Sequence, residues 1–209
     1  MKEGIKLQWF GHSAFKIEYK SYSIFLDPYA DNTVPGFSPI HDRANLVLCS
    51  HEHRDHNYRD GIEIIDNTAE NPFKISFIEC PHDDEGGIKR GMNKISILET
   101  EGITLCHMGD IGDMLSNEQI EKIRNIDVLM APIGGFYTLM PDKMNVLVSE
   151  INPNIFIPMH YRNEEFGYDV IGTLDDYLKY CKNIKRYNTN TLIITKDMER
   201  QTAILKYMR

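Results

Sequence analysis

Four times along this chain an apolar, strand-like run stops at a histidine or an aspartate. Asn45–Ser50 runs into His51-Glu52-His53-Arg54-Asp55-His56, Phe73–Cys80 into Pro81-His82, Ile103–His107 into Met108-Gly109-Asp110, and Ile155–Met159 into His160. Strands supply scaffold and the loops at their ends carry chemistry, so this arrangement collects site residues along one edge of a sheet. One histidine at a strand end is ordinary. His51, His53, Asp55 and His56, however, put four potential ligands within six residues, directly after an apolar run. Imidazole and carboxylate donors together suit zinc, manganese or iron.

The remaining patterns predict a strand-dominated molecule. Val/Ile/Phe/Tyr-rich runs at Ile5–Phe10, Ala14–Tyr19, Tyr22–Leu26, Ile62–Asp66, Lys94–Glu99, Asp127–Ala131, Leu192–Thr195 and Thr202–Leu205 are broken by turn residues. Asn45–Ser50 reads as a buried strand, and Tyr29 to Arg43 as an irregular loop long enough to be functional. Three helices are expected: Ser116–Ile123, Gly172–Cys181 with Thr173 as cap, and Pro141–Ile151 with Met144, Leu147, Val148 and Ile151 on one face. Phe15–Asp27 and Ile95–Asp110 echo one another, each being two strands around a turn that end in an aspartate. No linker divides the chain, so residues 1–209 read as one domain, with two β layers face to face and helices outside.

Charge and cysteine usage narrow the function classes. With 31 acidic and 23 basic side chains the formal charge is −8, and no dense basic block is present, which argues against a nucleic-acid partner. No apolar stretch approaches the roughly 20 residues of a membrane span, and the first residues lack a secretory pattern. Cys49, Cys80, Cys106 and Cys181 form no Cys-x-x-Cys pair. That argues against a thiolate zinc ribbon and leaves the reducing cytoplasm as the expected compartment.

The ordered set His51-x-His53-x-Asp55-His56, His82, Asp110 and His160 resembles the metallo-β-lactamase superfamily, over nearly the whole chain. Trp9-Phe10-Gly11-His12-Ser13-Ala14-Phe15, Leu26-Asp27-Pro28 and Pro132-Ile133-Gly134-Gly135-Phe136-Tyr137-Thr138 are similar to its small zinc-dependent hydrolase branch, which includes the ascorbate-6-phosphate lactonase relatives. The resemblance implies an α/β (α+β) fold, a four-layer αββα sandwich with the site at one edge. It implies two divalent metals, zinc first, with manganese or iron as alternatives. His51, His53 and His82 would hold one, Asp55, His56 and His160 the other, with Asp110 bridging. The implied activity is hydrolysis: a water or hydroxide shared by the metals attacks an ester, lactone, amide or phosphodiester of a small molecule. Asp55 would orient that water or accept its proton. Asp110-Ile111 departs from relatives, which commonly carry threonine after the aspartate.

Other residues carry weaker signals. Tyr137 could donate to developing oxyanion charge, and Arg162, two residues past His160, is a candidate for an anionic substrate group. Lys89, Arg90 and Lys94 suit the same task or a solvated turn. His12 reads as a support, substrate or plain turn residue, His107 as a support for the loop carrying Asp110, and His41 as solvated. Cys49 and Cys80 read as small buried hydrophobes. The expected partner is a small molecule, with no nucleic acid and no membrane; an anionic substrate and a homo-oligomer both stay open. Two rivals to the small-molecule hydrolase are a nuclease or phosphodiesterase acting on nucleic acid and a non-hydrolytic iron module.

Overall fold

The computed structural model describes residues 4–65 and 69–208. Strands β1 (Ile5–Gly11), β2 (Ala14–Tyr19) and β3 (Tyr22–Leu26) form an antiparallel meander. Leu46–Leu48 (β5) adds to β3 in parallel and Thr191–Ile194 (β13) to β1 in antiparallel, completing a five-stranded sheet ordered β13-β1-β2-β3-β5. Asp42–Ala44 (β4) and Ile62–Ile64 (β6) pair as a separate parallel ribbon. The second sheet begins with an antiparallel meander of β7 (Lys74–Pro81), β8 (Met92–Thr100) and β9 (Ile103–His107). It continues in parallel through β10 (Val128–Pro132), β11 (Ile155–Met159), β14 (Gln201–Ile204) and β12 (Ile184–Arg186).

Burial follows from this layering. In β1, Ile5, Leu7 and Trp9 enter the core while Lys6, Gln8 and Phe10 are only half covered, the alternation of a sheet with one packed face. Every residue of β10 and β11 is buried, because each strand lies between the other sheet and a helical cover. The crossovers supply that cover: α1 (Asn117–Glu121) follows β9, α2 (Pro141–Ile151) follows β10 and α3 (Leu174–Leu178) follows β11. Helix α2 buries Met144, Leu147 and Ile151, and Tyr177 of α3 packs on Phe156 with ring centroids 5.8 Å apart. One apolar cluster draws residues from both sheets. No described helix is long and apolar enough to cross a membrane.

Some elements differ from the sequence reading. The strand expected at Asn45–Ser50 shrinks to β5, in which only Val47 is buried, because Asp27 captures the Ser50 backbone N–H at 2.7 Å and draws the chain out of the ladder. The helices at Ser116–Ile123 and Gly172–Cys181 are five residues long, each opened by a capping box and closed by single turns. Strands β4 and β12 had no signal: each is three residues with little alternation. Of the run Ile62–Asp66, Asp66 lies outside the described residues.

The site is placed by one topological regularity. The ends of β1, β3, β5, β7, β9 and β11 lead, within one to three residues, to His12, Asp27, His51, His82, Asp110 and His160.

Candidate metal centre

The turn after β5 is closed by the His56 backbone N–H donating to the His53 carbonyl at 2.9 Å, which brings His51, His53, Asp55 and His56 round on themselves. Three sets of donor atoms result, each set lying within 4.8 Å: His51, His53 and His82; His12, Asp55, His56 and His160; and His51, His56 and Asp110. Asp110 Oδ2 lies 3.2 Å from both His56 Nε2 and His160 Nε2, and 3.7 Å from His82 Nε2, so its carboxylate stands between the first two sets. All seven residues singled out as ligands from sequence are thus brought together. His12 joins them, with Nε2 3.4 Å from Asp55 Oδ2.

The supporting contacts explain why these rings point inward. Asp27, fully buried, accepts from His56 Nδ1 at 2.7 Å and from Ser50 Oγ at 2.6 Å, and Ser50 Oγ in turn lies 2.9 Å from His51 Nδ1. Both Nδ1 atoms are engaged, which leaves Nε2 of each ring to the centre. Asn93 accepts the Asp110 backbone N–H at 2.8 Å and donates to the Met108 carbonyl at 2.8 Å, fixing the Asp110 loop. His107 accepts from the Gly109 N–H at 3.3 Å while its Nε2 meets the Ser13 carbonyl at 2.8 Å, joining that loop to the β1–β2 turn. The sequence pattern singles out neither Asn93 nor Tyr168; Asp27 shows in it only as a strand-end aspartate, in the echo with Asp110 and in the Leu26-Asp27-Pro28 motif.

Burial sets the protonation. It presses His12 down to about 4, helped by His160, and His51 to about 3, helped by His56, so both rings are neutral donors at neutral pH. Burial would also lower His56, but the carboxylates of Asp110, Asp55 and Asp27 raise it well above the ordinary range. Burial alone would raise Asp55 and Asp110; the neighbouring imidazoles hold both well below the usual carboxylate value. Burial pushes the thiols of Cys49 and Cys80 up to about 12 and 11, so neither offers a thiolate at neutral pH.

The donor set fits divalent cations. His51 Nε2, His56 Nε2, His160 Nε2 and Asp110 Oδ1 are buried without a hydrogen-bond partner among the described residues, a costly state that cation ligation relieves. Neutral imidazoles and ionised carboxylates are the ligand forms required, so His56, whose pKa its carboxylate neighbours raise, gives up its proton when a cation binds.

The substrate candidates separate. Tyr137 stacks edge-on to Tyr168 at 5.9 Å, and the Tyr168 hydroxyl donates to Asp55 Oδ2 at 3.3 Å, so Tyr137 stands one ring away from the cluster. Arg162 is not brought to the centre. Its Nε donates to the Ile171 carbonyl at 2.8 Å, and it lines a cavity of about 800 Å³ whose wall contains none of the seven donors. The reason is local: His160 sits at φ 53°, which turns the chain away immediately after the histidine. His41 is exposed.

A two-sheet sandwich with imidazole and carboxylate donors clustered at the strand ends defines a metal-centre protein. Residues 6–160 match the beta-lactamase superfamily domain, and the chain belongs to that family. A UPF0173 metal-dependent hydrolase of Caldivirga maquilingensis is 28% identical over 188 residues, covering 74% of this chain and 81% of that protein. One from Desulforamulus reducens is 27% identical over 193 residues, covering 75% and 84%. Among solved structures, one from Thermotoga maritima, assigned to the zinc-dependent hydrolases of the metallo-beta-lactamase superfamily, superposes with TM-score 0.73 at 29% identity, covering 96% of this chain and 97% of that one.

Proposed function

We propose that this chain is a metal-dependent hydrolase of a small molecule, with two divalent cations held by His51, His53 and His82 on one side and by Asp55, His56 and His160 on the other, Asp110 between them. The observation that carries the reading is the cluster of buried, unpartnered Nε2 atoms facing Asp110. Such cations, when bound, lower the pKa of a coordinated water to near neutrality and polarise the oxygen of the bond under attack. The protein's own residues set the geometry. Asp27 fixes the ring of His56 directly and that of His51 through Ser50. Asp55, ionised and only half buried, is placed to orient the attacking water or accept its proton, and the Tyr168 hydroxyl holds the carboxylate in place. His12, with no other hydrogen-bond partner on either ring nitrogen among the described residues, adds a fourth donor beside Asp55, His56 and His160. Zinc suits this donor set, as do manganese and iron.

Elemental analysis and a screen of nitrophenyl esters, lactones and phosphodiesters test this. The purified protein should carry up to two equivalents of metal and turn over at least one ester class. His51→Ala/His53→Ala should lose metal and activity together. A double variant that keeps full turnover would refute the assignment.

A further inference from the structure

Lys89 and Arg90 leave the β7–β8 connection side by side, yet their surroundings differ. Lys89 Nζ lies 2.6 Å from Glu85 and 3.3 Å from Asp84. Arg90 makes no ion pair among the described residues, and its guanidinium rests over the Tyr137 ring at 5.5 Å. Arg90, Tyr137, Thr138 and Lys143 line a cavity of about 140 Å³ with Asp83, Asp84 and Gly112 also in its wall. None of the seven donors lines that cavity, but its wall reaches two of them in space: Gly112 packs against the His82 carbonyl, and Tyr137 stacks edge-on to Tyr168, whose hydroxyl donates to Asp55.

Two carboxylates and two cations line this cavity, and the carboxylates are engaged elsewhere. Asp83 is buried, and its carboxylate is saturated by the backbone N–H groups of Glu85 (2.8 Å), Gly87 (2.9 Å), Lys89 (2.9 Å) and Arg90 (2.7 Å). Asp84 is paired with Lys89. Neither carboxylate pairs with Arg90 or Lys143, and Lys143 also lacks an ion pair among the described residues. Two further features point the same way. The Thr138 hydroxyl, on a residue only 6% exposed, has no hydrogen-bond partner among the described residues. Helix α2, eleven residues long, begins at Met140 without a side-chain cap, so its first-turn N–H groups and the positive end of its dipole lie where Met140 and Lys143 border the cavity.

We propose that this cavity is a subsite for a compact oxyanion group of the substrate, a phosphate or a carboxylate. Arg90 and Lys143 supply the charge, and Thr138 and the start of α2 supply hydrogen bonds. The assignment of the anion to a substrate rests on the hydrolase reading of the neighbouring centre. A volume of about 140 Å³, a few times the ~30 Å³ share of one water, suits a single such group. Asp83 acts as a positioning residue, since its four accepted N–H bonds set the loop that presents Arg90.

Two measurements test the subsite. Inorganic phosphate is titrated calorimetrically into the purified protein, and kcat/KM is compared for nitrophenyl hemisuccinate and nitrophenyl acetate, which share a leaving group and differ by one carboxymethyl group. In R90Q/K143Q, phosphate should bind at least tenfold more weakly, and the hemisuccinate-to-acetate ratio should fall at least tenfold. Thr138→Val should weaken phosphate by a smaller factor. Unchanged phosphate affinity in R90Q/K143Q overturns the subsite, and if the esters are still hydrolysed the hydrolase reading survives it. Weakened phosphate binding with no ester turnover by the wild type supports the anion site while removing the hydrolase reading.

Discussion

Gly112 offers a steric test of how the metal centre is held. It is not in the left-handed backbone region, so alanine is conformationally permitted there. A Cβ at Gly112 would nevertheless stand 2.5 Å from the His82 carbonyl oxygen, and nearer still to His82 C and Asp83 N. Ordinary contact begins at 3.4 Å, so the chain carrying His82 and the loop carrying Asp110 must part by about 1 Å. Overpacking of this kind costs about 1–3 kcal/mol, which in a chain of this length lowers Tm by roughly 2–4 °C per kcal/mol. The functional loss should be larger in proportion, because a misplacement of about 1 Å can cost 100-fold in rate. Gly86→Ala is the control: Gly86 has φ +69° but nothing within 4 Å of its Cβ, so it meets backbone strain without crowding. Metal content by elemental analysis, thermal melting and kcat on the best ester should all fall in Gly112→Ala. Gly112→Ala with wild-type metal content and turnover, or equal losses in Gly86→Ala, would refute the reasoning.

Three other outcomes are expected. Asp27→Asn puts an amide where one carboxylate accepts from Ser50 N, Ser50 Oγ and His56 Nδ1, and metal competition should show affinity lowered about 10–100-fold. Tyr168→Phe removes the hydroxyl that donates to Asp55; kcat should fall several-fold while metal content holds, and a loss of metal instead would move Tyr168 from orienting Asp55 to shaping the site. After removal of metal, acid should destabilise the protein between about pH 7 and 5. His12 (about 4), His51 (about 3), His82 and His107 are all lowered by burial, so below the unfolded value near 6.5 the unfolded chain takes up protons that the folded chain refuses. His56 works the other way, its contribution being full below 6.5 and lost as pH rises through its raised value. The four outweigh the one, and a Tm of metal-free protein that rises on acidification across this window would contradict the burial argument.

Much of the centre was legible because its signals are local. The turn from His51 to His56 announces itself by ligand density, and His82, Asp110 and His160 by their places after apolar runs. Asn93 and Tyr168 were not legible: an asparagine at the start of β8 and a tyrosine in a loop acquire their roles through contacts 17 and 113 residues away in sequence. Arg162 shows the limit from the other side, since proximity in sequence to His160 does not survive the turn of the backbone there. Among the elements, Pro141–Ile151 was readable from its proline start and one-sided apolar pattern. Strands β4 and β12 are held by pairing rather than by any preference of their three residues.

That turn at His160 belongs to a wider pattern. His12, Asp27 and His160 have φ of 49°, 45° and 53°, a left-handed conformation that side chains other than glycine seldom adopt. Each stands just past the end of a strand of one of the two sheets, and each faces the same cluster. The conformation costs roughly 1–2 kcal/mol per residue, and glycine at the same positions would relieve it. The chain instead keeps an imidazole or carboxylate at all three and holds them with compensating bonds. Trp9 Nε1 donates to the His12 carbonyl at 3.1 Å, the His160 N–H reaches the same carbonyl at 3.3 Å, and Asp27 is fixed by Ser50 and His56. Seven other described non-glycine residues share this conformation, among them Lys20 and Glu101 in plain hairpin turns; what sets His12, Asp27 and His160 apart is that they are buried and converge on one cluster without adding to the apolar core. Burial in that conformation is explained if His12 and His160 must present their imidazoles to a cation and Asp27 must hold the His56 ring toward it.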